Sequence, residues 1–236
     1  MISNRSQKNT VRLRPQSYFG FLKNREDGSM FLNRVRRSEK EKSYISRLRN
    51  RNKIELVVLV DDHNKEIGTA LKDIVHTTDT PLHRGFSLFL FNSKGELLLT
   101  KRSSKKKTFP GVWTNTVCGH PGPGESAIDA ARRRLKDELG IVLRLNPAKQ
   151  GLTLTSGRIQ EVAPYWYRFA DKNGIVENEI CPILIACSDV NPKLDINEVE
   201  EWKWMKWEKF LSDIKINPEI YSPWCREEAK IIVPLV

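Results

Sequence analysis

The sequence predicts an α+β or layered α/β domain. Three observations point there: an aliphatic, β-branched run near residue 54, a pair of strand-like runs about a glycine-containing turn, and a helix set among strands without strict alternation.

Residues 54–60 read IELVVLV and end at Asp61-Asp62, which suits a buried strand. Ser87 to Phe91 and Glu96 to Thr100 read as a hairpin about Asn92-Ser93-Lys94-Gly95, and Val112 to Cys118 as a third strand. Ser126 to Leu139 is predicted helical: Ile128, Ala131, Leu135 and Leu139 share a face and Gly140 is the stop. Tyr165 to Phe169 and Ile180 to Ala186 are expected to pair around the turn at Asp171 to Gly174. Trp202 to Trp207 adds a strand and Glu208 to Asp213 a short helix.

A length of 236 residues accommodates one catalytic domain and an appendage. The net charge of +11 is local, because residues 1–53 hold 15 Lys and Arg against 4 Asp and Glu. The remainder is balanced, 25 against 25, so nucleic acid is not expected as a partner. Residues 1–50 read as a basic, disordered extension and residues 51–236 as the working domain. An organelle-targeting leader or an RNA-binding arm is the functional reading of the extension; a solvated tail is the bland one. The four cysteines form no CxxC pair, which suits free thiols in a reducing cytoplasm. No apolar run approaches the roughly 18 to 20 residues that span a bilayer, so membrane insertion is not expected.

Cys118 and His120 stand two apart at a strand end, and Glu177 and Glu179 repeat that spacing, so each pair should project from one face. His76 and His83 flank a segment containing Pro81, which favours a loop that could turn both imidazoles inward. Three His and two Glu form a mixed nitrogen and oxygen set that suits an octahedral divalent ion better than a closed structural zinc site. Taken singly, each has a bland reading as a hydrogen-bonded or solvated residue.

Gly119, Glu125, Arg133, Arg134 and Leu135 to Ile141 resemble the Nudix box, in which acidic residues present a divalent cation to a diphosphate. Arg134 and Asp137 stand where the box usually has glutamates, which speaks against ordinary Nudix hydrolysis. His76 to Thr80, Leu82-His83, Phe109-Pro110-Gly111, Trp113-Thr114-Asn115, Cys118 to Pro121 and Gly174 to Glu179 then follow in order. Together they resemble the type 1 isopentenyl-diphosphate isomerases of the bacterial kind, over about residue 54 to Ser222-Pro223-Trp224.

The resemblance implies a Nudix-like fold, α+β in α/β/α layers with mixed sheets flanked by helices, and interconversion of isopentenyl and dimethylallyl diphosphate, an isoprenoid diphosphate reaction. It implies His76, His83, His120, Glu177 and Glu179 as ligands of one divalent ion, Mn²⁺, Zn²⁺ or Mg²⁺. Glu138, with the backbone of Cys118, would hold Mg²⁺ against the diphosphate. Lys72, Arg102, Lys106 and Arg134 would surround that diphosphate. Cys118 on one side and Glu179 with Tyr167 on the other would move protons, and Trp224 would cover a carbocation. Trp224 also reads as a core aromatic. A monomer or homodimer in the cytoplasm is expected. A Nudix pyrophosphohydrolase and an idle binding protein are the rival readings.

Overall fold

The computed structural model describes residues 55–143 and 157–232. The basic extension over residues 1–50 therefore lies outside the described residues, as does Ile54.

Twelve strands form two sheets among the described residues. The first, in order β2-β1-β3-β10-β9, contains Leu56–Val60, Glu66–Leu71, His83–Arg84, Val176–Ile180 and Trp166–Ala170 as β1, β2, β3, β10 and β9. The second runs β12-β5-β4-β11-β8, namely Val199–Lys206, Glu96–Arg102, Phe86–Phe91, Ile183–Cys187 and Ile159–Ala163. Two short strands join it, β6 (Trp113–Thr114) on β5 and β7 (Val117–Gly119) on β4. Each sheet is mixed: β3 with β10 and β4 with β11 are parallel pairs, and the rest are antiparallel.

The second sheet is covered on both faces, which explains its unbroken apolar runs. Phe86, Leu88 and Leu90 of β4 face one core with Leu98, Leu184 and Ala186. Phe89 and Phe91 face the other, with Leu97, Leu99, Ile183 and Ile185. Helix α2 (Ala127–Leu139) closes the first face with Ala130, Ala131, Leu135 and Leu139. Helices α3 (Trp207–Ile216) and α4 (Pro223–Ile232) close the second with Phe210, Ile214, Trp224 and Ala229. A four-residue helix, α1 (Lys72–Val75), leads into His76.

Helix α2 starts and stops where its residues direct. The Ser126 hydroxyl accepts from the Asp129 amide at 3.1 Å, and Gly140 takes the left-handed conformation at φ 63° while its N–H caps the last turn.

Two expected pairings are corrected. The strand after the Asp171 turn is Val176–Ile180, paired antiparallel with Trp166–Ala170, whereas residues 183–187 belong to the other sheet. Pro182 separates the two runs, and a proline interrupts a ladder. The hairpin over residues 87–100 keeps only the Phe91 to Leu97 pairing. Its arms part because β7 and β11 take the edges of β4, while β6 and β12 take those of β5.

Candidate active site

Register in the first sheet sets up half of the site. Glu179 lies opposite His83 on one side and Tyr167 on the other, so three chemically active side chains share one row across β3, β10 and β9. Two residues along the strand, Glu177 projects from the same face, and Asn178 turns away to donate to the Thr80 carbonyl at 3.1 Å.

The three imidazoles converge, with ring centroids 4.9 to 5.3 Å apart. Ligand atoms of His76, His83, His120 and Glu177 all lie within 4.8 Å of one another. His76 Nε2 is 2.9 Å from Glu177 Oε2, and His120 Nε2 is 3.1 Å from Glu179 Oε1. Backbone carbonyls fix two rings: His76 Nδ1–H donates to Lys72 O at 3.3 Å and His83 Nδ1–H to Pro81 O at 2.8 Å. Their Nε2 lone pairs are thereby aimed into the cluster. His83 Nε2 and His120 Nδ1 are buried without a hydrogen-bond partner, and His76 Nε2 and Glu177 Oε2 have only each other. Orphaned atoms of this kind, at the focus of a nitrogen and oxygen donor set, fit a divalent cation.

The same burial sets the proton affinities. It lowers His83 to about 4 and holds His120 well below the usual imidazole range, each helped by neighbouring imidazoles. Burial and the Glu177 charge drive Glu179 upward. Burial would raise Glu177 too, but the neighbouring His76 and Arg102, with the Thr108 hydrogen bond, bring it to about 2. Thr108 donates a short hydrogen bond to Glu177.

Cys118 stands on β7 opposite Ser87, and its thiol donates to Asn115 Oδ1 at 3.0 Å. Burial, with the nearby Glu228 charge, pushes the thiol up to about 12, so it is a neutral S–H. Tyr167 is likewise kept a phenol by burial and the Glu179 charge. Its ring stacks on Trp224, with centroids 5.7 Å apart and planes inclined by 15°. Trp224 meets Phe109 edge-on, carries Arg102 at 5.6 Å over its ring and is 1% exposed. It is both a core aromatic and a wall of the cavity.

That cavity, of ≈450 Å³, is bordered by Cys118 and His120, by Tyr167, Glu177 and Glu179, and by Trp224. It also receives Lys72, Arg102, Lys106 and Arg134. Carboxylates interleave these cations. Glu55 takes Lys72 at 2.5 Å and Arg134 at 3.1 Å; Glu198 takes Lys106 at 2.5 Å and Arg134 at 3.2 Å; Glu138 takes Arg134 at 2.6 Å. Burial lowers the Lys106 ammonium and, by itself, would raise Glu198, but Lys106 and Arg134 bring Glu198 to about 2. Arg102 spends its other donors on the Thr108 and Phe109 carbonyls at 2.9 to 3.3 Å.

Every candidate residue from the sequence lies in or against this one site; His83 is fully buried behind it and Glu138 beside it. Sequence reasoning missed Glu55, Glu198, Thr108 and Gly85. Glycine at 85 is required because a Cβ there would stand 1.7 Å from Glu179 Oε2. A lone glycine directly before the apolar run Phe86 to Phe91 was the available signal.

The NUDIX domain model matches residues 81–225. A protein of Corynebacterium glutamicum named isopentenyl-diphosphate Delta-isomerase is 47% identical over 72% of this chain and 87% of its own length. Proteins of the same name from Saccharopolyspora erythraea and Rhizobium rhizogenes are 43% and 40% identical, each over 77% of this chain and over 88% and 81% of their own lengths. Among solved structures, DR0079 from Deinococcus radiodurans superposes with a TM-score of 0.57 at 21% identity, covering 75% of this chain and 98% of that one.

Proposed function

The chain belongs to the isopentenyl-diphosphate Delta-isomerases of the NUDIX domain family, and we propose that its reaction runs on Cys118 and Glu179 across the shared cavity. The enzyme interconverts isopentenyl and dimethylallyl diphosphate.

An isolated alkene is a very poor base, so its protonation needs an acid aimed at the terminal carbon and a base beside C2. The observation that carries this assignment is that a neutral thiol and a buried carboxyl border one cavity that also holds four cations. Cys118 serves one face; Glu179, with Tyr167 opposite it in register, serves the other. Because the reaction is reversible, the two exchange acid and base roles with direction. The faces of Trp224 and Tyr167 shield the tertiary cation from water. Lys72, Arg102, Lys106 and Arg134 bind the diphosphate oxygens.

His76, His83, His120, Glu177 and Glu179 would hold one divalent ion, Mn²⁺, Zn²⁺ or Mg²⁺, and Glu138 with the Cys118 backbone a diphosphate-linked Mg²⁺, together supplying charge neutralisation and a fixed carboxylate array. No described helix is long and apolar enough to cross a membrane, and a cytoplasmic monomer or homodimer is the proposed working form.

Nudix hydrolysis of a nucleotide would use the same cradle, but Arg134 sits on Glu138 and Glu198, where its charge competes for the carboxylates that hydrolysis would commit to metal. Incubation with isopentenyl diphosphate and, separately, with nucleoside di- and triphosphates distinguishes the two. Allylic diphosphate without phosphate release is expected; phosphate or pyrophosphate release from nucleotides without allylic product would overturn the assignment.

A further inference from the structure

Next to Cys118 lies a group of polar side chains that the reaction leaves unused. Strand β4 runs between β7 and β11, so Ser87 faces Cys118 on one side and Ile183 on the other. Its hydroxyl lies 3.6 Å from Cys118 Sγ and 3.5 Å from Cys181 Sγ. Helix α4 brings in a carboxyl one turn beyond Trp224: Cys181 Sγ lies 4.0 Å from Glu228 Oε1, and the Ser87 hydroxyl is near enough to favour the Glu228 carboxylate. Ser87, Cys181 and Glu228 are all at 0% exposure, and Glu228 Oε2 has no hydrogen-bond partner.

Among the described residues, no Lys or Arg forms an ion pair with Glu228. The titratable groups facing it are acids: Cys118 on β7, Cys181 between β10 and β11, Tyr165 before β9, and Cys225 and Glu227 on its own helix. Burial therefore dominates, and with Glu227 it outweighs the Ser87 hydroxyl and pushes the Glu228 carboxyl up to about 8.

A hydroxyl has one proton to give. While Glu228 carries its own proton it can donate to Ser87 Oγ, which leaves the Ser87 proton for Cys118 Sγ. An ionised Glu228 only accepts, and a charge-assisted bond draws the Ser87 proton to itself. We propose that neutral Glu228 is a positioning residue for Cys118, acting through the Ser87 hydroxyl, and that its ionisation withdraws that support. This rests on the assignment of Cys118 to proton transfer, which Cys118→Ala tests separately.

The experiment measures kcat and KM against pH for the full-length, metal-loaded enzyme and for Glu228→Leu, Glu228→Gln and Ser87→Ala. Wild-type kcat is expected to fall as pH rises through about 8, where Glu228 loses its proton. Glu228→Leu and Ser87→Ala should each lower kcat about tenfold at neutral pH with KM unchanged. Glu228→Gln, whose amide donates to Ser87 and cannot ionise, should restore most of kcat and abolish the alkaline fall. Melting temperatures control for folding. Wild-type kcat in Glu228→Leu, or an unchanged alkaline fall in Glu228→Gln, would overturn the proposal, whatever Cys118→Ala shows.

Discussion

Gly85→Ala separates the requirements of the fold from those of the reaction. The added Cβ would lie 1.7 Å from Glu179 Oε2, 2.6 Å from Cδ and 3.3 Å from Cγ. Carbon and oxygen do not approach within about 3 Å without one of them moving, so the carboxylate must retreat by about 1.3 Å. The clash is with the far end of a side chain, so the backbone can stay in place, and destabilisation should lie near the lower end of the ~1 to 3 kcal/mol usual for overpacking. The chemical consequence is larger, because the same carboxylate meets His120 through Oε1 at 3.1 Å and faces the cavity. A displacement of about 1 Å at a reacting group can lower turnover about 100-fold. Expected, then, is a kcat near one hundredth of wild type with a small change in melting temperature, measured by proton NMR of the product and by thermal unfolding. Gly68→Ala is the control, since a Cβ at position 68 would meet nothing within 4 Å. Wild-type turnover in Gly85→Ala would refute the placement of Glu179 as a proton carrier.

Glu198→Gln should free Lys106 and Arg134 for an anion. In the presence of chelator, inorganic pyrophosphate should bind about tenfold more tightly than to wild type by calorimetry, and Mg²⁺ should shrink the difference. Chelation should also lower the melting temperature, because the His and Glu cluster is left with buried, unpartnered atoms. The metal-free protein should lose stability as pH falls from the ordinary imidazole value of 6.5 toward about 4, because burial depresses His83 and the unfolded chain then binds the proton that the folded chain refuses. Urea midpoints across that interval check the sign, and a midpoint that rises on acidification would contradict it.

How much of this was legible in the sequence depended on the distance between partners. Short spacings were informative: Cys118 with His120 and Glu177 with Glu179 each line one cavity, and the helix read over 126–139 runs over 127–139, with Ser126 as its cap and Gly140 as its stop. The proposed metal ligands and diphosphate contacts came from ordered motifs rather than periodicity. Partners far apart in sequence left no mark, as with Glu198 and Lys106, 92 residues apart, or Arg134 and Glu55, 79 apart. Parallel pairing of β3 with β10, which sets His83 beside Glu179, is likewise a long-range register with no local signature. Residues 180–186 misled because an apolar run names a strand without naming its sheet; Pro182 was the missed punctuation.

The assignment of Cys118 and Glu179 as opposed proton carriers meets its most direct test in three proteins of matched metal content: wild type, Cys118→Ala and Glu179→Gln. Conversion of isopentenyl to dimethylallyl diphosphate is followed by proton NMR, and pyrophosphate affinity by calorimetry. Both variants are expected to bind pyrophosphate within about threefold of wild type while kcat falls by a factor of at least about 10³. Turnover within about tenfold of wild type in either variant would contradict the assignment.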